Sequence, residues 1–246
     1  MRNILFALAI GLIVFAALYV PGVLSLGESI VPGIFVMLLA YYVLARRTFK
    51  RVEKIFNASA QALQAMPPRF DLAVATLQGA YALASTQIGI RTQVDSQIGM
   101  LYFLQKEFSK ALPHLKRALG FGHWLGAAML AVIYYKKKNY DELRKTLEIV
   151  TKRGKKESMA WNLSAYLFCQ LGERDEAQRV LIEGIKKTND NPKIRENLLA
   201  LQNGKKIKMR SYKEQWYQLH LERPPAQYQQ AALRPKLSRT ARRGRW

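Results

Sequence analysis

Histidine and cysteine, which often serve as nucleophiles, bases or metal ligands, are few in this sequence. There are three histidines, His114, His123 and His220, and a single cysteine, Cys169. The chain has no glycine-rich phosphate loop, no histidine pair at i, i+4 and no Gly-x-Ser-x-Gly nucleophile motif. One cysteine can form neither an internal disulfide nor a zinc site built on several thiolates. We therefore predict that the protein is not an enzyme and uses no metal or cofactor.

The densest cluster of charge lies in a C-terminal tail, where residues 205–246 carry 12 basic and 2 acidic side chains. Such a tail favours anionic partners, which are lipid head groups, nucleic acid or acidic protein segments. A tail that serves only solubility is the alternative. Its first half predicts a short helix with Tyr212, Trp216 and Leu219 on one stripe, and its second half is predicted to be disordered until bound. The tail residues expected to contact the anionic partner are Arg234, Lys236, Arg239, Arg242, Arg243 and Arg245.

The charge of the whole chain is strongly positive and unevenly distributed. Its 246 residues include 39 Lys and Arg against 17 Asp and Glu, a formal net charge of +22. Half of the residues are hydrophobic, which is enough for a folded core and excludes a wholly disordered protein. Residues 1–46 carry only Arg2, Glu28 and Arg46 as charged side chains. The chain thus divides into an apolar N-terminal part, a mixed middle and the basic tail.

Two apolar stretches near the N-terminus are long enough to cross a bilayer. Residues 4–20 and 30–45 contain no charged side chain. At 1.5 Å per residue each covers roughly 25 Å, close to the ~30 Å thickness of the hydrocarbon core. The segment between them contains Pro21, Gly22 and Gly27, which favour a reversal of the chain. We therefore predict a transmembrane hairpin.

The predicted hairpin occupies residues 1–46, with spans at about 4–24 and 29–46, and its orientation follows from the basic residues. Lys and Arg near a span are retained on the cytoplasmic side. Arg2 precedes the first span, and the loop has no basic residue. The basic residues that follow the second span are Arg46, Arg47, Lys50, Arg51 and Lys54. Both termini and the middle of the chain are therefore predicted to be cytoplasmic, at a bacterial-type inner membrane. A cleaved signal peptide is the alternative for the first segment.

A repeat with offsets of 32 and 34 residues runs through the middle of the chain. Copies that begin at Ile98, Leu130 and Ser164 align without gaps. Small residues on a first helix would let a second helix approach, and the aromatic residue would fill the space beside it. The aligned sets are Gly99, Ala131 and Ala165; Tyr102, Tyr134 and Phe168; Ala111, Leu143 and Ala177; Leu115, Leu147 and Leu181; and Ala118, Val150 and Gly184.

These copies resemble the tetratricopeptide repeat (TPR) family, whose 34-residue unit folds as two antiparallel helices. Trp161 lies at the family's tryptophan position, whereas the closing proline is replaced by His123 in the first copy and Asn189 in the third. The resemblance implies an all-α fold, in which the hairpin leads into a TPR-like α-solenoid and then into the basic tail. The solenoid is expected over residues 47–204, with repeats near 47–91, 92–123, 124–157 and 158–190 and a capping helix at 191–203.

The resemblance also implies a partner-binding groove lined by the first helix of each repeat. Only Asn162 suggests the amide-rich clamp with which some family members hold a peptide carboxylate. A helix or extended segment of a partner protein is therefore the expected ligand. The alternative is that several of these residues are core or are covered by the chain's own tail. The implied groove residues are Met100, Phe103, Leu104, Ala128, Val132, Tyr135, Met159, Asn162 and Tyr166, with Cys169 beside them.

Together these features predict a membrane-anchored TPR scaffold that recruits or organises protein partners of an inner-membrane assembly. The arrangement looks like that of repeat proteins serving envelope polysaccharide synthesis or export. The alternative is a membrane-tethered nucleic-acid or ribosome-binding factor that acts through the basic tail. An anchored tail lies beside the bilayer, so anionic lipid is its expected partner, and nucleic acid stays open.

Overall fold

The computed structural model describes residues 1–120 and 122–225, and this part of the chain is all-helical. Helix accounts for 75% of it, and it contains no strand. The chain divides into two compact units, Met1–Ala127 and Ala128–Trp246, with the boundary inside the sixth helix.

The first unit contains a long apolar pair of helices followed by three shorter ones. A 3₁₀ turn, Ala80–Leu83, lies between the third and fourth helices. The helices are α1 (Arg2–Tyr19), α2 (Leu26–Gln64), α3 (Phe70–Gly79), α4 (Ile90–Leu104) and α5 (Phe108–Ala118).

The second unit begins within α6 and continues through four further helices before its final short turns. A 3₁₀ turn, Arg210–Tyr212, precedes the last helix. The helices are α6 (Trp124–Lys136), α7 (Tyr140–Arg153), α8 (Ser158–Gln170), α9 (Arg174–Lys187), α10 (Pro192–Gln202) and α11 (Glu214–Tyr217).

Helices α1 and α2 pack closely through small residues. Ala7 and Gly11 on α1, and Ser29 and Gly33 on α2, are buried and are spaced four residues apart on each helix. A Cβ added to Gly11 would lie 2.7 Å from the Cβ of Met37 and 2.9 Å from the Gly33 carbonyl oxygen. Small residues at this spacing let two helix backbones approach within contact distance. The two helices are also long and apolar enough to cross a membrane.

The first helix is shorter than the predicted span. It ends at Tyr19 rather than near residue 24, because Pro21 and Gly22 follow and Gly22 takes a left-handed conformation with φ of 72°. Ser25 then caps α2, and its backbone N–H donates to the Glu28 carboxylate at 3.0 Å. This capping box fixes the start of α2.

Helix α2 runs without a break from the apolar stretch to Gln64. The same helix thus continues 18 residues beyond position 46, where the predicted second span ends. The helix ends before Met66, Pro67 and Pro68, since proline cannot donate a backbone hydrogen bond and restricts the residue before it.

A buried polar network connects the N-terminus of α1 and the middle of α2 to the segment before α4. Asn3 Nδ2 donates to Thr48 Oγ1 at 3.0 Å and to Gln87 Oε1 at 3.2 Å. Gln87 Nε2 in turn donates to the Tyr41 hydroxyl at 2.7 Å. The Asn3 backbone N–H also donates to the Thr86 carbonyl at 3.1 Å, which satisfies one of the amides left free at a helix start. These hydrogen bonds thus connect α1 and α2 to the segment that leads into α4.

The aligned repeat positions lie in the interior. Two helices fall in each of the predicted ranges 92–123, 124–157 and 158–190, to within two residues. A Cβ on Gly99 would come within 2.8 Å of the Leu115 side chain, which leaves no room for one. All the aligned small and aliphatic positions are buried, and among the aromatic ones Tyr102 is half-buried while Tyr134 and Phe168 are buried.

Helix α10 lies within residues 191–203, where the sequence predicts a helix. The Asn191 side chain accepts a hydrogen bond from the Lys193 backbone N–H at 3.1 Å, and Pro192 occupies the first turn, where its missing N–H costs nothing. The helix is followed by Gly204 with φ of 72°, a conformation that glycine adopts without strain.

Candidate functional site

In the first unit, the implied groove residues divide between core and surface. Phe103 is fully buried and contacts Phe108 edge to face, with ring centroids 5.3 Å apart. Met100 is half-buried and Leu104 is exposed. Only these two could contact a ligand from solvent.

In the second unit, most of the implied groove residues lie in the interior. Tyr135, Tyr166 and Cys169 are half-buried. Burial raises the pKa of the Cys169 thiol, which favours the protonated, unreactive form. Four of the implied groove residues are therefore core positions instead of an open surface, which is the alternative stated above. The four are Ala128, Val132, Met159 and Asn162.

The face of α8 that carries Asn162 is covered by residues 205–222, a segment called the strap below. Asn162 Nδ2 donates to the Tyr212 hydroxyl at 2.6 Å, and its Oδ1 accepts from Asn197 Nδ2 at 3.0 Å. Asn197 Oδ1 also accepts from the Lys208 backbone N–H at 2.8 Å. The buried amide that suggested a carboxylate clamp is thus satisfied by the chain itself.

Apolar side chains hold the strap in place. Met209, Tyr212, Trp216 and Leu219 are all buried. The Trp216 ring meets Tyr166 edge to face, with centroids 4.9 Å apart. The predicted stripe of Tyr212, Trp216 and Leu219 is thus confirmed as a buried face, although the helix itself covers only Glu214–Tyr217. The strap occupies the position where the TPR resemblance placed a ligand in this unit.

An open groove lies between α7 and α9, with side chains of α8 at its floor. It is separate from the Asn162 face of α8, which the strap covers. Its volume is about 580 Å³. The floor is apolar, and the rim carries most of the charged residues; this surface is called the acidic groove below. Its apolar side chains are Leu147, Trp161, Phe168 and Val180, and its acidic side chains are Glu148, Glu173, Asp175, Glu176 and Glu183.

The rim of the acidic groove keeps unneutralised negative charge. Arg144 is bound to Glu173, with Nε 3.1 Å from Oε1. Within residues 1–120 and 122–225, however, no ion pair involves Glu148, Asp175 or Glu183, and all three are exposed. Arg174 also lines the groove, but these three carboxylates outnumber it, so the groove is a local acidic surface on a chain of net charge +22. Sequence reasoning did not find it, although the i, i+4, i+7 spacing of Glu176, Val180 and Glu183 was a usable signal.

A second polar site in the first unit surrounds the buried carboxylate of Asp95. Tyr81 donates its hydroxyl hydrogen to Asp95 Oδ1 at 2.7 Å, Arg117 Nη2 donates at 2.8 Å, and His114 Nδ1 lies 2.8 Å away. Together with Arg91 these residues line a cavity of about 410 Å³. The sequence could not indicate this cluster, because the groups come from α4, α5 and the 3₁₀ turn and meet only through helix packing.

The charges of this cluster compensate one another. Burial alone would raise the pKa of the Asp95 carboxyl, but hydrogen bonds from Arg117, Tyr81 and His114 outweigh burial and lower that pKa. Burial, and then the hydrogen bond to Asp95, raises the pKa of Tyr81 to about 12. The carboxylate is thus held ionised by donors from α5 and the 3₁₀ turn, an arrangement that joins these elements to α4.

The tail residues Arg234 to Arg245 lie outside the described residues. In the described ranges, no group of three or more His, Cys, Asp or Glu side chains could hold a metal ion.

No protein-family model matches the chain, and no curated protein matches its sequence.

Proposed function

We propose that the protein is a membrane-anchored helical scaffold that holds a protein partner at the membrane surface. The observation that carries this proposal is the exposure of the apolar helices. Only 17% of the apolar window of α1 and 11% of that of α2 is buried, whereas the core helix of a water-soluble protein would be mostly buried. Large side chains such as Leu5, Phe35 and Leu38 point outward. Lipid is the environment that stabilises such a surface.

The helices that follow α2 are proposed to be TPR-like repeats. The support is the recurrence of antiparallel pairs in which a small residue meets a large one. Gly99 meets Leu115, and a Cβ on Gly184 would lie 2.8 Å from the Trp161 ring. Stacked helix pairs of this kind present extended surfaces, which suit recruitment of other proteins.

The acidic groove is the proposed docking surface, and a cationic segment of a partner protein is its proposed ligand. Apolar side chains of such a segment would cover Trp161 and Phe168, while lysine or arginine would meet the exposed carboxylates of Glu148 and Glu183. The strap covers the α8 face, whereas the acidic groove is open among the described residues of the second unit. Charge complementarity at the rim gives specificity and faster association.

A photo-crosslinking experiment in native membranes tests this proposal. A photoreactive residue at Thr151, on the groove wall, should capture a protein, and one at the exposed Gln202 should not. The double variant Glu148→Gln/Glu183→Gln should lose the adduct. The matched double variant Glu157→Gln/Glu214→Gln changes the net charge equally at exposed sites outside the groove and should keep it. An adduct that survives both double variants, or forms equally from Gln202, would contradict groove docking.

A nucleic-acid or ribosome-binding factor is the second proposal, favoured by the 12 basic against 2 acidic residues of the tail. Electrostatic binding of this kind is strong and salt-dependent. Nuclease treatment of the purified membrane complex separates the two proposals. A partner that stays bound after nuclease supports the scaffold, and one that is released supports the nucleic-acid factor.

A further inference from the structure

Five basic residues lie on one face of α2 just beyond its apolar stretch. Helix geometry turns about 100° per residue, so these positions fall within an arc of roughly 140°. All five side chains are exposed. This set is called the basic stripe below and consists of Arg46, Arg47, Lys50, Arg51 and Lys54.

The opposite face of the same helical segment is buried, which fixes the direction of the stripe. Val52 is only 3% exposed and belongs to the core that α2 forms with α3 and α4. Ser59 Oγ donates to the Ala73 carbonyl at 3.0 Å, and Thr48 accepts from Asn3. The helix therefore cannot rotate to bury its cations, and the stripe faces away from the core that contains Val52.

The five cations of the stripe outnumber the one carboxylate beside them, that of Glu53, which lies about 20° from Arg46 around the helix. Glu53 is the one acidic residue between positions 46 and 64, and it is exposed. Among the described residues, no acidic side chain forms an ion pair with any member of the stripe. Like charges at i, i+4, as in Arg46 with Lys50 and Arg47 with Arg51, destabilise a helix. An external anion would remove that repulsion.

The position of the stripe identifies the anion. It begins one residue after the apolar stretch and extends about 12 Å along the helix axis. The head-group layer is about 5–8 Å deep on each side of the hydrocarbon core, and the Debye length at physiological salt is about 8 Å. With α2 crossing the bilayer, Arg46 and Arg47 would lie among the head groups, and Lys54 would remain within the range of their charge.

We propose that the basic stripe binds the phosphate groups of anionic phospholipids. This inference rests on the proposed membrane anchoring, which keeps lipid phosphate permanently beside the stripe. Because the other side of α2 packs on α3, head-group binding would hold the first unit in one orientation at the membrane surface. An acidic protein segment or nucleic acid would have to compete with a ligand that the anchor supplies locally.

The experiment uses the full chain in nanodiscs and measures which spin-labelled lipid is immobilised by the protein. Native protein should prefer phosphatidylglycerol over phosphatidylcholine, and the preference should fall as salt is raised. The variant Lys50→Gln/Arg51→Gln/Lys54→Gln keeps Arg46 and Arg47, and with them the signal that orients the span. It should reduce the preference by at least about fivefold, since each of the three basic side chains near an anionic leaflet changes affinity by about that factor.

A matched triple variant in the second unit controls for total charge. Lys152→Gln/Lys155→Gln/Lys156→Gln removes three exposed lysines and should leave the lipid preference unchanged. Equal loss in both variants, or a preference that salt does not weaken, would overturn the proposal. It would also be overturned if short RNA or polyglutamate displaced the lipid at equal charge concentration.

Failure of the anchor and failure of the stripe give different results. Extraction of the native membranes with alkaline carbonate reports on anchoring alone. A protein that is released by carbonate has no anchor, and the stripe proposal fails with it. A protein that stays in the membrane but shows no preference for phosphatidylglycerol keeps the anchor and loses only the stripe.

Discussion

At the scale of single residues, Asp95 shows how a charge is kept in the interior of this protein. Its side chain is 1% exposed, yet Tyr81, His114 and Arg117 all lie within hydrogen-bond distance of one carboxylate oxygen. A buried carboxylate without such donors would be strongly destabilising. The cluster therefore joins α4 and α5, and loss of a donor would leave the buried carboxylate less well stabilised.

The variant Asp95→Asn is expected to lower the free energy of unfolding by about 1–3 kcal/mol, because hydrogen bonds to a charged carboxylate are replaced by weaker ones to a neutral amide. The folded pKa of this carboxyl is depressed below its ordinary value of 3.8. Its contribution is therefore present above pH 3.8 and is lost as the pH falls through the depressed folded value. Denaturant unfolding of the full chain in detergent should show a weaker acid-side pH dependence in Asp95→Asn. The exposed variant Asp71→Asn is the control, and equal stability of the two variants would contradict this role.

Gly184 packs closely against Trp161, which leads to a second prediction for single residues. A Cβ there would lie 2.8–3.0 Å from ring and Cβ atoms of Trp161, whereas one at Gly79 meets nothing within 4 Å. Gly184→Ala should destabilise the protein by ~1–3 kcal/mol through overpacking, reduced by the helix propensity of alanine. Gly79→Ala should be neutral or stabilising by up to ~1 kcal/mol. Thermal melts in detergent that move in the same direction for both variants would show that the close approach does not matter.

At the scale of elements, the helices were largely predictable and the surfaces were not. The small residues at Gly99 and Ala165 and the helix signals at Asn191 and Gly204 are local, so the sequence indicates them directly. The strap depends on Asn197 meeting Asn162, two positions that only tertiary packing brings together. The acidic groove likewise depends on the approach of α7 to α9, although its α9 wall could be recognised from the spacing of Glu176, Val180 and Glu183.

The strap is expected to depend on the burial of Trp216 for its stability. Trp216 is fully buried against Tyr166, so Trp216→Ala should release residues 205–222 and cost about 3–5 kcal/mol in local stability. Limited trypsin digestion should then cut faster at Lys205, Lys206 and Lys208, and hydrogen exchange should rise in the same segment. The neighbouring Gln218→Ala, an exposed position, should leave both measurements unchanged. Identical digestion of Trp216→Ala and the native chain would mean that the strap is held by other contacts.

At the scale of the whole molecule, the proposed anchor determines which compartment contains the helical units. No basic residue lies between α1 and α2, and the basic stripe follows the second apolar segment. In a Cys169→Ser background, a cysteine at the exposed Val23 should react with an impermeant maleimide added to intact cells. A cysteine at the exposed Glu196 should react only after the membrane is made permeable. The opposite pattern would place the helical units outside the cytoplasm.

The last prediction concerns the six basic residues of the tail between positions 234 and 246, which an anchored protein would carry close to the bilayer. In proteoliposomes, a fluorophore on a cysteine at Ser238 should be quenched by head-group quenchers in phosphatidylglycerol and much less in phosphatidylcholine. The quenching should fall steeply between 0.05 and 0.5 M salt, because exposed charges are screened beyond a Debye length. Replacing the six basic residues by glutamine should abolish the difference between the two lipids. The basic stripe stays intact in that variant, so the integral protein should still immobilise anionic lipid. Relief of quenching by RNA at equal phosphate concentration would instead favour the nucleic-acid factor, because a tail docked on lipid in its own bilayer should resist a competitor from solution.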